Sequence, residues 1–247
     1  MMASFAAAST GCGLSKPKVD GEYEAELDIT PLINAALVSM MNDAGVDVDE
    51  DDFSGEVTVK YLLELDDGEY TLTIDYESYI EDYRDYVQDN LVPVYADYLY
   101  DELDAWGYSV DDFLSAYGYD SIEEYCEDEI SYSVDVAAAD IENDEIEGDY
   151  KVKSSGLGSA YVELDYGTTL YYEKGNLVGH IDKDLLEDIE DADDIDELID
   201  AFEDNDADDS LVDVCNLCDS YGITADDFKD WLEDSGLADD GLVYEAQ

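Results

Sequence analysis

A chain with 70 Asp and Glu against nine Lys and Arg can fold only if nearly every carboxylate reaches water. At a formal charge of −61 over 247 residues, the compact state also repels itself unless salt or bound ions screen it. The apolar side chains must therefore be sorted onto faces that can meet one another. Hydrophobic residues make up 46 % of the chain and aromatic residues 12 %, with 22 Tyr, which separates it from acidic disordered sequences. The length suits one sizeable core, alone or with a small satellite domain. The surface so defined repels nucleic-acid phosphates and anionic lipid headgroups, and it attracts cations and basic proteins.

Strand-like alternation is the clearest form of this sorting. Tyr23, Ala25, Leu27 and Ile29 fall on one face with acids on the other, and Val57, Val59, Tyr61, Leu63 and Leu65 do the same. Asp66-Asp67-Gly68 then turns the chain into Tyr70, Leu72, Ile74 and Tyr76. Period two on both sides of an Asp-Gly pair predicts a hairpin. Gly148-Asp149-Tyr150 repeats the earlier strand start Gly21-Glu22-Tyr23. Further strand-like pieces run from Tyr161 to Asp165, Thr168 to Glu173 and Leu177 to Ile181, the last after the turn Lys174-Gly175-Asn176. Together they predict five or six antiparallel strands.

Helical spacing interrupts them. Thr30-Pro31 predicts an N-cap followed by Pro at the first helical position. From Tyr76 to about Ile130 the apolar residues recur at i, i+3 and i+4, with Pro93 expected to break or kink the run near Asn90. Its stripe of tyrosines is expected to be packing. One connector occurs twice: Trp106-Gly107-Tyr108-Ser109-Val110-Asp111-Asp112-Phe113 matches Tyr221-Gly222-Ile223-Thr224-Ala225-Asp226-Asp227-Phe228 position by position. In each, Gly ends one helix left-handed, Ser or Thr caps the next, and Asp completes a capping box. Tyr108 or Ile223 is then expected to staple onto Phe113 or Phe228. Leu185, Leu186, Ile189, Ala192, Ile195, Ile199 and Phe202 predict one acidic amphipathic helix; helices capped by Ser210 and Thr224 follow. The fold class is α+β: an antiparallel sheet that can curl into a barrel, with inserted helices and a small C-terminal acidic helical bundle. The domains are residues 1–18 as leader and tether, 19–181 as the β domain with a helical insertion at about 77–130, and 182–247 as the acidic three-helix region.

No constellation compels a reaction, and the chain reads as non-enzymatic. His180 is the single histidine and there is no G-x-S-x-G elbow. Gly156-Leu157-Gly158 lacks the rest of a dinucleotide fingerprint. Cys126, Cys215 and Cys218 read as small apolar core residues, although Cys215 and Cys218 have C-x-x-C spacing. Asp204, Asp206 and Asp208 stand at positions one, three and five of a would-be EF-hand loop, but Asp209 replaces its glycine and Cys215 its bidentate glutamate. Asp47 to Asp52 is a second degenerate loop. Weak Ca²⁺ binding is thus the one cofactor expectation, and solvated acidic linkers are the simpler account of both loops.

The N-terminus runs Met1-Met2-Ala3-Ser4-Phe5-Ala6-Ala7-Ala8-Ser9-Thr10-Gly11-Cys12, followed by the polar stretch Leu14-Ser15-Lys16-Pro17-Lys18. This Thr-Gly-Cys leader, the Lys-Pro-Lys tether, the Gly-Glu-Tyr strand start and the insert Tyr108 to Tyr119 resemble small cell-surface lipoproteins of Gram-positive bacteria. That family pairs a lipocalin-like or β-clam sheet with helical insertions, and the resemblance covers residues 9 to 181. It implies lipidation of Cys12, a place on the extracellular face of the cell membrane, and a non-catalytic binding role for a small-molecule or peptide ligand. A cytoplasmic DNA-mimic inhibitor of a basic nucleic-acid-binding protein is the alternative, and a low-affinity calcium-binding surface protein is another.

Overall fold

The computed structural model describes residues 18–139, 141, 143–154, 160–165, 167–204, 215, 218 and 222–247. Eight strands form a closed antiparallel barrel in which each strand pairs with its sequence neighbours: β1 (Gly21–Asp28), β2 (Thr58–Asp66), β3 (Glu69–Asp75), β4 (Asp144–Ser154), β5 (Ala160–Leu164), β6 (Thr169–Glu173), β7 (Asn176–Gly179) and β8 (Leu242–Ala246). Seven helices are described: α1 (Thr30–Asp43), α2 (Tyr76–Trp106), α3 (Val110–Tyr117), α4 (Ile122–Ala138), α5 (Lys183–Asp191), α6 (Ile195–Asp204) and α7 (Ala225–Asp234). The α+β class and the barrel-like sheet are therefore as the alternation predicts.

The barrel gains strands that the sequence pattern does not reveal. Visible alternation ends at Ile181, yet the chain returns after α7 to add β8, which pairs Leu177 with Tyr244 and Tyr23 with Ala246. That short strand closes the barrel and leaves no free edge between β7 and β1. The β2–β3 hairpin is as expected, with Asp67 and Gly68 both at positive φ, the requirement of a type I′ turn. Lys174-Gly175 repeats that geometry between β6 and β7.

In a sequential antiparallel barrel, connections alternate between the two ends. All three helical insertions leave from odd-numbered strands: α1 after β1, α2 to α4 after β3, and α5 to α7 after β7. They therefore build one helical layer on one end of the barrel. At the other end Val19 is buried in the barrel core, the Tyr23 hydroxyl donates to the Val19 carbonyl (2.7 Å), and the Tyr150 hydroxyl donates to Asp20 (2.5 Å). The chain thus enters the barrel from the face opposite the helices.

The barrel interior is filled. Thirteen buried side chains meet there, among them Tyr23, Leu63, Leu65, Tyr70, Val162 and Leu177. Eight strands enclose a space that side chains can fill or that can hold one small ligand, and here side chains occupy it. The barrel's own tyrosines and leucines pack this interior. The acids point outward on alternate positions and keep their water.

Several local expectations are corrected. Thr30 does not cap α1; its hydroxyl accepts from the Val57 backbone N–H (2.8 Å), while Asp28 accepts from the Thr30 N–H (2.9 Å). Pro93 does not end its helix, since α2 runs through it for 31 residues. Buried Asn90 instead clamps the preceding loop, accepting from Ser54 N (2.8 Å) and donating to Ser54 O (3.0 Å). The single helix expected over 185–202 is two, α5 and α6, because Ala192 adopts an extended ψ and Asp194 starts a new helix by accepting from Glu197 N (3.0 Å). The Ser210 cap lies outside the described residues.

α1 joins the layer together. Its Leu32, Ala35 and Ala36 pack with Ile189, Leu198, Phe202 and Phe228 of the C-terminal helices, while Leu37 and Met41 pack with Tyr86 and Val87 of α2. Trp231 of α7 donates its indole N–H to the Asp28 carbonyl (2.8 Å), tying the C-terminal helices to the end of β1.

Candidate binding surface

The distal part of the helical layer, made by α2, α3 and α4, is built on a small core of its own. Ala96, Leu103, Ile122 and Cys126 are buried, with Tyr95, Leu99, Phe113 and Tyr125 partly buried around them. Arg84 pairs with Asp135 (2.5 Å) and Gln88 with Ser131 (2.6 Å) between α2 and α4. Two tight corners follow. Gly107 at φ 72° ends α2, with Tyr108 N donating to Leu103 O (2.9 Å), and the Ser109 hydroxyl accepts from Asp112 N (3.4 Å) to start α3. Gly118 at φ 86° ends α3, and the Ser121 hydroxyl accepts from Glu124 N (3.1 Å) to start α4.

These corners turn aromatic rings outward. Trp106 is 66 % exposed and Tyr108 65 %, although the staple rule would bury Tyr108 on Phe113. On α3, α4 and the corner between them Phe113, Tyr117, Tyr119 and Tyr125 form a connected ring cluster. Phe113 to Tyr117 is 4.7 Å and Phe113 to Tyr125 is 5.2 Å between centroids; Tyr119 meets Tyr125 edge-on at 5.3 Å. Tyr117 is itself exposed.

Carboxylates rim the cluster. Burial raises the Tyr119 phenol above its ordinary value, and the hydrogen bond to Asp128 and the charges of Glu129 and Glu124 add to the shift. Burial also raises Tyr125, with Glu129 next in weight. Both phenols are therefore neutral hydrogen-bond donors at physiological pH. Between Arg84 and Lys151 the sequence has 21 Asp and Glu and no Lys, Arg or His. The arrangement offers flat aromatic faces inside a field of one sign, which suits recognition of cations.

The other sequence candidates lie elsewhere. Cys12, Asp206 and Asp208 are outside the described residues, and Asp204 is the last residue of α6. Asp49 to Asp52 of the second acidic loop form a capped 3₁₀ turn, with Asp49 N donating to Asp52 (2.9 Å). Among the described residues no group of three or more His, Cys, Asp or Glu is placed to hold a metal. His180 sits exposed beyond β7 with its ring 5.5 Å from that of Tyr171. Cys126, Cys215 and Cys218 are buried free thiols. Burial pushes Cys126 up to about 11, helped by Glu123 and Glu129, and burial with Cys218 pushes Cys215 up to about 11. Neither is the thiolate that nucleophilic or redox chemistry needs. Surface depressions lie along β1 and β8, at the barrel end where Val19, Gly68, Tyr150 and Val152 meet, and between α6 and α7.

Comparison with protein-family models, curated proteins and solved structures finds no match. No described helix is long and apolar enough to cross a membrane.

Proposed function

We propose that this chain is a non-catalytic binding protein tethered by a lipid on Cys12 to the outer face of a cell membrane, with the barrel as scaffold and the helical layer as its binding face. A closed eight-strand antiparallel barrel is the architecture of lipocalin-like binding proteins. Here the barrel interior is packed with side chains, so the ligand role moves to the outside. The observation that carries the reading is polarity. Residues 18–20 enter at one end of the barrel and every helical insertion stands at the other. Five residues lie between Cys12 and Lys18, a reach of about 20 Å at most. A lipid at Cys12 would hold the plain end against the bilayer and direct the aromatic surface away from it. The dense negative charge of the rest of the chain disfavours closer contact with anionic headgroups, whereas Lys16 and Lys18 of the tether suit a place beside them.

Metabolic labelling with an alkyne fatty acid, followed by membrane fractionation, tests the tether. The wild-type chain should carry label and pellet with membranes, and Cys12→Ala should lose both. Equal labelling of the two would overturn it.

A further inference from the structure

Between the two corners at Gly107 and Gly118 the chain exposes large aromatic side chains that its own fold does not use. The repeated connector makes this plain. In the second copy Ile223 and Phe228 are 6 % and 5 % exposed, both in the core that α7 shares with α1. The first copy forms the same left-handed Gly and the same hydroxyl cap, yet it carries Trp106 and Tyr108 in the open. The joint therefore folds without needing those rings covered, and two of the largest apolar side chains are left in water. Isolated exposed apolar residues are ordinary, but here the following helix and corner carry four more exposed or half-exposed rings in mutual contact, Phe113, Tyr117, Tyr119 and Tyr125.

The charge around them selects the partner. Glu124, Asp128 and Glu129 lie beside Tyr119, with Glu129 also beside Tyr125, and the flanking cations in sequence are Lys151 and Arg84, the latter paired with Asp135. Aromatic faces flanked by carboxylates attract guanidinium and ammonium groups through the ring quadrupole and through charge together. A guanidinium can stack on a Tyr or Trp face while its N–H groups reach a carboxylate. A partner carrying phosphates or carboxylates would be repelled from the same place.

We infer that the aromatic surface at the α2–α3 and α3–α4 corners docks a Lys- or Arg-rich segment of another protein. The inference rests on the reading that the helical layer is the binding face, and it names the chemistry of the partner. Aromatic and arginine residues are the side chains that dominate interface energies, so two or three rings should carry most of the affinity.

Isothermal calorimetry on the full chain tests it, with an Arg-Ser repeat peptide as probe and a Glu-Ser repeat as control, at about 0.15 M salt. The Arg peptide should bind and the Glu peptide should not. Trp106→Ala with Tyr117→Ala keeps the net charge and should weaken binding by about tenfold or more. Asp196→Asn with Asp200→Asn removes charge from the aromatic-free face of α6 and should change it less than about twofold. Absence of Arg-peptide binding would overturn the inference. So would equal binding by the wild type and the aromatic variant, because that is diffuse attraction to a polyanion. The titration needs no lipid, so its failure leaves the Cys12 labelling result standing, and a failed labelling leaves the titration standing.

Discussion

The two copies of the Gly-x-Ser/Thr connector share backbone geometry and a packed Phe, half-buried Phe113 and buried Phe228. They differ in what covers the residue after the Gly, since Tyr108 is exposed and Ile223 is buried. Gly107 and Gly222 sit at φ 72° and 75°, and Ser109 and Thr224 each accept from the Asp N–H three residues on. Around Gly222 the joint is pressed against α1: a Cβ there would collide with the Ser39 hydroxyl, whereas one at Gly107 would meet open space. The second joint also completes its capping box, with Thr224 N donating to Asp227 (2.7 Å). Local sequence thus fixes the turn, and the tertiary neighbour decides whether its apolar residues are core or surface. The buried copy supports the fold. The open copy is available for something else.

The largest separation between the two joints should appear on truncating their aromatics. Phe228→Ala empties a buried site and should cost about 3–5 kcal/mol in chemical denaturation. Trp106→Ala should stay within about 0.5 kcal/mol of wild type, as surface changes do. A large loss at Trp106 would mean that its joint is also structural, and the contrast would fail.

A smaller separation is expected at the glycines. Gly107→Ala forces an L-residue into the left-handed region at a cost of about 1–2 kcal/mol. Gly222→Ala bears the same cost plus the displacement of Ser39, so its midpoint should fall further. Adding Ser39→Ala should recover most of the excess. If the two glycine variants are equally destabilised, the packing difference between the joints is not energetic.

The smallest effect concerns charge. Packing the second joint against the rest of the layer brings Glu50 close to Asp227 and Asp230; burial first, then these acids and Asp51, raises its carboxyl above the ordinary value. A raised carboxyl favours the fold when protonated, so its contribution is present at acid pH and lost as pH rises through the folded-state value. Glu50→Gln should therefore melt slightly higher than wild type at neutral pH, and the gap should close below the ordinary carboxylate range. Thermal melts of both proteins across pH check this, and a gap that widens on acidification would reverse the assignment. Added salt should narrow the same gap, because Glu50 is largely exposed and its repulsions are screened.

Much of the fold was legible where the signal was local. The Asp67-Gly68 hairpin, the alternation of Tyr23 with Ala25 and of Leu63 with Leu65, and both connectors could be read from spacing alone. Barrel closure could not. It rests on β8, five residues separated from β7 by α5, α6, α7 and the segment between the last two, and no local pattern reports that Tyr23 will face Ala246. The division of 185–202 into α5 and α6 was hidden because Ala192 and Ile195 keep the apolar face continuous across the break. The tyrosine stripe of α2 divides likewise. Tyr79, Tyr83, Tyr95 and Tyr98 are half-buried, whereas Tyr108 and Tyr117 beyond α2 are not covered. Helical period identifies an apolar face and is silent on whether anything packs against it. The one sequence signal for the open surface was the connector itself, where Trp106, Tyr108 and Val110 stand against Tyr221, Ile223 and Ala225.

The chain has two tryptophans, one in each setting, and their accessibility tests the account directly. Trp106 is 66 % exposed, whereas Trp231 is 8 % exposed and hydrogen-bonded to Asp28. Uncharged acrylamide quenching on Trp231→Phe, which reports Trp106 alone, should give a steep slope close to that of a free indole. Quenching on Trp106→Phe, which reports Trp231 alone, should be nearly flat. Equal slopes, or protection of Trp106 in the isolated chain, would contradict the claim that one joint is core and the other an open binding surface.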